Sequence, residues 1–573
     1  MIDKNDQNII PFNGMWNFKA KDTQAFFFDP EILDDIWSDV DKVEKFKTDT
    51  FLYYETILEL FYKKLNSIHN INLEKKFWNL LIGPWLFKFI EFYYDKFLII
   101  KNQKYQNFES LKKCNFFFLD TFDDFYFNSQ NPNYNQFIFY QIYIFLTNQN
   151  INSYQNDEKK QNIKKEIFYT KKSLPNKIKN FLIKFNSLDK VGHNFINFNL
   201  PLSSKELFQL SNKKRNLFES FYQKFPELKI LNNNLFFNLR STKLDQSFKN
   251  SNQFLNLLNE TLLMNVPKAY IENFKYFFDF YNKFVPVKFN KKILLRSSLE
   301  SSEKARYLIS ILSKSGSTIY SFQEGGVGKS IQHSEHIKHF KKFCDEFFVW
   351  SQRNDQGSRS FYCTKTFWKK DYKIVKNDIL IVLGSVKPFF YSLYESNFPK
   401  FGFYQTKKVT KILERFKSEG RINEITLRLH NENGFEEEIY YKNTFPNLKI
   451  ETRETNPYFY HLLDKAKIKI FTTDYTANMQ SLAINHPTIF LWDDKMIKEN
   501  PKFTIIYQNL KKNKILFNSE DDCLSHIFEI EKDIYSWWNS NKVQEAKNEY
   551  LENFCRFSNN LVDRFKDEIF NES

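Results

Sequence analysis

The sequence predicts an α/β protein of two Rossmann-like domains with a cleft between them, a large helical elaboration of the first domain, and helices at the C-terminus. Three observations predict it. From about residue 290 onward short apolar runs alternate with stretches of helical period, the pattern of parallel strands covered by helices on both faces. The alternation comes in two blocks separated by the polar segment 351–377. The chain has 573 residues, too many for one hydrophobic core, so two or three domains are expected.

Taken in order, residues 51–69 and 73–98 carry apolar positions at helical spacing. Gly83-Pro84 falls between two apolar faces, where Gly ends one helix and Pro suits the first turn of the next. Residues 100–260 are rich in Asn, Lys and Phe and hold several helical patterns without a chemical motif. They read as helical elaboration. KKILLRSS (291–298) and STIYSF (317–322) are strand-like, with the helical SSEKARYLISILSKSG between them. The second block runs strand 378–385, helix 405–418, strand 424–430, strand 448–452, helix 457–466, strand 468–474, helix 476–485 and strand 486–493. The expected domains are therefore 1–360 and 374–520, followed by helices over 521–573.

The 67 Phe and 31 Tyr, together with abundant Asn, Lys and Ile, extend along the whole chain. That is the signature of an AT-rich coding sequence. The net charge of +15 could attract nucleic acid or other anions. The lysines are scattered, however, with short clusters such as 159–165 and no nucleic-acid module, so a solvated surface is expected and no nucleic-acid partner. Five cysteines without CxxC spacing argue against a disulfide framework or a zinc site. MIDKNDQNII lacks the basic-then-apolar order of a signal peptide. The apolar stretches 80–94 and 137–146 fall short of the roughly 20 residues of a membrane helix. A soluble, cytoplasmic protein is expected.

QEGGVGKS (323–330) ends like a phosphate-binding P-loop, yet Gln323 stands where that motif opens with Gly. A glycine-rich turn before a helix still exposes backbone N–H groups to an anion; the alternative is a tight turn without a ligand. His333, His336 and His339 step around a helix by about 60° each, so they do not converge on a metal. The strongest signal is IKIFTTDYTANMQSLAINHPTIFLWD (468–493). A buried strand ends in Thr472, Thr473 and Asp474 and a helix opens near Thr476, so hydroxyls and free amides meet where open α/β sheets bind ligands. Asp474 or Thr476 could instead simply cap that helix.

Several blocks resemble a family of transferases of bacterial surface-carbohydrate biosynthesis. FWNLLIGPWLFKFIEFYYDKF (77–97) is similar to its N-terminal signature, preceded by Tyr54-Glu55 and LNSIH (65–69). VPKAYIENF (266–274), LRSS (295–298), LRLHNENGF (427–435), TDYTANMQSLAINHPTIFLWD (473–493) and SWWNSNKVQEA (536–546) follow in the family's order. The resemblance implies a GT-B-like glycosyltransferase, its acceptor side N-terminal and its nucleotide-sugar side C-terminal; no metal is expected, because no carboxylate pair at a strand end suggests a DxD-type site, and no cofactor. The partners implied are a nucleotide-sugar donor and a glycan or lipid-linked glycan acceptor, with peripheral association at the inner face of the membrane. Thr473, Asp474 and Thr476 would border the donor, Arg428 would neutralise pyrophosphate charge, and Gln480 and Asp493 would fix the nucleoside; the alternatives are that Arg428 is a structural ion-pair partner and that Asp493 simply caps the next segment. Two positions depart from the family pattern. Gln323, Glu324, Gly325 and Gly326, continued by Gly328, stand where the family reads Gln-His-Gly-Gly, and Gln480 stands where it has Glu. Glu324 becomes the candidate base, because a carboxylate also accepts a proton. Gly83, Pro84 and Trp85 are expected to shape the N-terminal domain. The rival readings are an alditol-phosphate transferase using a CDP donor, and an inactive relative that binds or scaffolds in glycan assembly.

Overall fold

The computed structural model describes residues 40–102, 118–147, 195–197, 229–231, 235–296, 299, 302–326, 336–352, 357–364, 378–385, 392, 399–430, 437–455, 459–494, 496–558 and 560–570. Gly328 and His333, and most of 100–260, lie outside them. Two compact units emerge: Thr50–Phe322 with Lys342–Glu346, and Gln323–Lys341 with Phe347–Ser573, the latter also taking in Met1–Asp49.

In the first unit the long helices are α1 (Val40–His69, which enters this unit at Thr50), α2 (Lys75–Asn102), α3 (Pro132–Thr147), α4 (Gln253–Asn265), α5 (Phe274–Asn282) and α6 (Glu303–Lys314). The expected break at Gly83-Pro84 is corrected: α2 is one helix with Pro84 inside it. A proline in a helix interior costs about 3 kcal/mol. Burial around the whole circumference of α2 outweighs that, since Trp78, Leu81, Ile82, Trp85, Phe89, Phe92 and Tyr93 are all buried, at roughly 1.5–3 kcal/mol for a large apolar side chain. Gly83 is there for space. A Cβ at that position would lie 2.6 Å from Tyr54 Oη and 2.7 Å from Phe343 Cε1. Charges on the same helix are buried too: Lys96 pairs with Asp95 at 2.9 Å and lies over the Phe92 ring.

Three parallel strands, β1 (Phe195–Asn197), β2 (Lys292–Leu295) and β3 (Thr318–Phe322), lie side by side in that order. The last two match the expected runs. β1 is a correction to the purely helical reading of 100–260; three residues within an Asn- and Phe-rich stretch carry no period of their own.

The second unit holds the parallel pair β4 (Glu346–Val349) and β5 (Arg359–Ser360). It also holds a six-stranded sheet of β6 (Asp378–Val382), β7 (Ile425–Arg428), β8 (Lys449–Glu451), β9 (Ala466–Phe471), β10 (Thr488–Leu491) and β11 (Leu516–Phe517). The strand order is β11-β10-β9-β6-β7-β8, with parallel pairing throughout. Read from β8, that is the order 3-2-1-4-5-6 of a doubly wound sheet. The chain winds outward from β6 to β8, then returns to lay β9 on the other side of β6. The point of reversal lies between β6 and β9.

Both faces of this sheet are covered, which is why its strands read as unbroken apolar runs. Ile379, Ile381, Leu427, Ile468, Ile470 and Ile489 pack with Val409, Leu413 and Phe416 of α7 (Pro399–Ser418) and with Cys523 and Ile527 of a helix over Glu520–Ile530. Their alternates Leu380, Val382, Phe471 and Phe490 face Met479 and Leu482 of α8 (Thr476–Ala483), Tyr507 and Leu510 of α9 (Thr504–Lys512), and Tyr550 and Phe554 of α10 (Asn541–Phe554). Among the described residues no helix is long and apolar enough to cross a membrane.

Candidate functional site

At the point of reversal the exits of β6 and β9 are tied together. The Thr472 hydroxyl, one residue past β9, donates to Gln405 Oε1. The Gly384 N–H, two residues past β6, donates to Gln405 Oε1 at 2.8 Å and approaches Thr472 Oγ1 at 3.3 Å. Gln405 and Thr472 are fully buried, and a buried amide is tolerated only with its bonds made. The clamp therefore fixes where the chain leaves the sheet.

Thr473 and Asp474 follow, both buried, and Tyr475 in extended conformation leads into α8 with no side-chain cap on the helix. The first amides of a helix have no partner within it and carry its positive end. A second turn adjoins this one. Gly326 N–H donates to Thr476 Oγ1 at 2.9 Å. A Cβ at Gly326 would lie 2.9 Å from the Thr476 amide nitrogen and 2.6 Å from Met479 Sδ; only glycine lets the two turns come this close. Gln323 shapes the glycine turn from beneath. Its N–H donates to Phe348 O at 2.8 Å, its Oε1 accepts from the Trp350 N–H at 3.0 Å, and its Nε2 donates to Gly325 O at 2.6 Å. Glu324 lies half-buried in the middle of that turn.

The remaining candidates are spread along the carboxyl edge of the same sheet. Arg428 ends β7 with its guanidinium donating to Thr452 O. Burial lowers its pKa from the ordinary value, against the raising pull of Glu451. Asp493, two residues past β10, pairs with Lys408 at 2.9 Å, and Lys408 also reaches Glu520 at 3.1 Å. Gln480 is buried in α8. Asp474 is wholly buried and is bonded by Tyr550, Asn478 and Tyr507. The structure thus joins Gln323, Gly325 and Gly326 to Thr476, and sets Arg428 and Asp493 at other strand exits.

Gly384, Gln405, Tyr507 and Tyr550 are the contributors that sequence reasoning missed. Gln405 had a usable signal. It interrupts the apolar stripe Phe401, Val409, Ile412, Phe416 of α7, where a polar side chain must serve some partner inside.

This arrangement offers backbone amides and hydroxyls around the start of a helix, a setting suited to a phosphate group. A family model described as LIC12162 family transferase matches residues 2–569 of the chain. None of the curated proteins matches it.

Proposed function

We propose that this chain, which belongs to the LIC12162 family transferases, is a glycosyltransferase moving a sugar from a nucleotide-sugar donor to a surface glycan or its lipid-linked precursor. The observation that carries the reading is the turn over residues 472–476. It sits at the reversal point of a parallel sheet, opens a helix, and is met by a glycine-rich turn. Doubly wound sheets bind ligands at that position, and a donor pyrophosphate has the charge that a helix N-terminus favours.

The proposed layout is GT-B-like, with the donor on 374–520 and the acceptor on 1–360. Thr473, Thr476 and the first amides of α8 border the donor phosphates, and Arg428 adds positive charge from the β7 exit. Gln480 and Asp493 fix the nucleoside. Glu324 takes the proton of the acceptor hydroxyl. The oxygen then bonds to the anomeric carbon, and the nucleoside diphosphate departs with the glycosidic bonding pair. Its added negative charge is stabilised by groups already in place. The proposed site of action is the cytoplasmic face of the membrane.

A screen of nucleoside diphosphate sugars by thermal shift, followed by transfer with the donor that binds, tests this. A ligand present at 100 times its Kd stabilises by about 2.7 kcal/mol. Release of a nucleoside diphosphate and a new glycosidic bond are expected, undiminished by EDTA. Release of CMP with a new phosphodiester would replace the reading by alditol-phosphate transfer, and donor binding without turnover by an inactive binding protein.

A further inference from the structure

We infer that Asp474 and Tyr550 form a buried latch through which α10 sets the geometry of the turn over residues 472–476, so that Asp474 is a positioning residue and does not touch the donor. The inference rests on the reading of that turn as the donor corner.

Asp474 is 0% exposed, and a carboxylate taken out of water is strongly destabilised unless its lone pairs are filled. Its Oδ1 accepts from Tyr550 Oη and from Asn478 Nδ2, the latter at 2.9 Å, and its Oδ2 accepts from Tyr507 Oη at 3.3 Å. Both oxygens are therefore turned into the protein, toward α8, α9 and α10. Asn478 Nδ2 also lies 3.3 Å from Tyr550 Oη, closing a triangle of three side chains at the start of α8.

The phenols cannot wander. The Tyr550 ring meets Phe554 at 4.9 Å and Phe490 at 5.6 Å, and Tyr507 stacks on Phe554 at 6.1 Å. Burial and the Asp474 charge push the Tyr550 hydroxyl well above its ordinary pKa, so it stays protonated and donating. A carboxylate gripped by two fixed phenols fixes in turn the backbone that carries it. That backbone runs from Thr473 to Thr476, the stretch facing Gly326. Phe in place of Tyr550 would fill the same space, so the hydroxyl is what packing alone does not require.

The test compares the full-length wild type with Tyr550→Phe and Asp474→Asn, both near-isosteric. Hydrogen–deuterium exchange is read at the amides of 474–480 and of 541–554, and UDP, CDP and GDP affinities are read by calorimetry. Tyr550→Phe is expected to speed exchange at 474–480 by about 10-fold or more, the effect of losing one hydrogen bond to a charged group. Protection over 541–554 should be kept, and affinity for whichever nucleoside diphosphate binds the wild type should weaken about as much. Asp474→Asn should act alike. Unchanged exchange at 474–480 in Tyr550→Phe overturns the latch, and so does a loss of protection spread evenly over 541–554, which marks a packing residue only. A wild type that binds none of the three nucleotides overturns the donor reading, while the exchange data still decide the latch.

Discussion

Gly326 donates its backbone N–H to the Thr476 hydroxyl at 2.9 Å, across 150 residues of sequence. The bond joins a glycine-rich turn to the first residue of α8, and it exists because position 326 has no side chain. Gly326→Ala would push a Cβ to 2.6 Å from Met479 Sδ and 2.9 Å from the Thr476 nitrogen. Overpacking of this kind typically destabilises by 1–3 kcal/mol. Among the described residues, a Cβ at Gly325 meets only Thr476 Oγ1, at 3.9 Å, an ordinary contact. Denaturation midpoints should therefore fall clearly for Gly326→Ala and by less than about 1 kcal/mol for Gly325→Ala; equal effects would mean that the two turns are not in contact.

Glu324 is the proposed base. With the donor and acceptor identified, Glu324→Gln should cut single-turnover transfer by ~10²–10⁴ and leave donor affinity almost unchanged. An active wild type indifferent to this substitution places the base elsewhere. A wild type without transfer, restored in part by Glu324→His, marks an inactive relative.

His69 predicts acid sensitivity. Its Nε2–H donates to Tyr270 O at 3.0 Å and its ring stacks on Phe274, and burial holds its pKa down to about 4. The unfolded chain binds a proton near pH 6.5. Between pH 6.5 and 4 the unfolded state therefore holds more protons, and stability falls as pH falls, by at most about 3 kcal/mol from this group. His486, lowered to about 3 chiefly by burial, acts in the same direction. Chemical denaturation across this window should show the decline, and His69→Phe should make it shallower; an identical slope in the variant would exclude His69 as a source.

Lys469 predicts a gain in stability. It lies fully buried in β9, its ammonium donating to Ala466 O at 2.6 Å, and burial lowers its pKa to about 7. The unfolded lysine titrates near 10.4. The destabilisation from this mismatch is absent above about pH 10.5, grows as pH falls, and is complete below about 7. Lys469→Met should stabilise the protein at pH 7 by about 1–3 kcal/mol, with the gain shrinking as pH rises toward 10. A gain that does not change with pH would point to packing instead.

The sheet of the second unit was legible because burial on both faces writes itself as continuous apolar runs. DILIV, ITLR and TIFL announce their strands without help. The pair EFFV of β4 and LF of β11 did not, being short and set among aromatic residues that saturate the whole chain. Gly83-Pro84 misled for a different reason: local propensity was overridden by burial that no window of sequence displays. Within the site, the motif over 472–476 stood out because hydroxyls cluster after an apolar run. Tyr507 and Tyr550 could not stand out. Each sits on the apolar stripe of an amphipathic helix, where a tyrosine looks like core, and the carboxylate it serves is 33 or 76 residues away.

That separation has a consequence for biosynthesis. A chain emerging from the ribosome folds its earlier segments first, and all six strands of the second unit's larger sheet precede residue 520. The sheet can assemble while α10 has yet to be made. Asp474 then waits without the Tyr550 hydroxyl, and the turn that the carboxylate organises has no fixed shape. Nascent chains and products truncated before residue 550 should carry a sheet without a finished corner. Translation itself delays competence until the last long helix arrives.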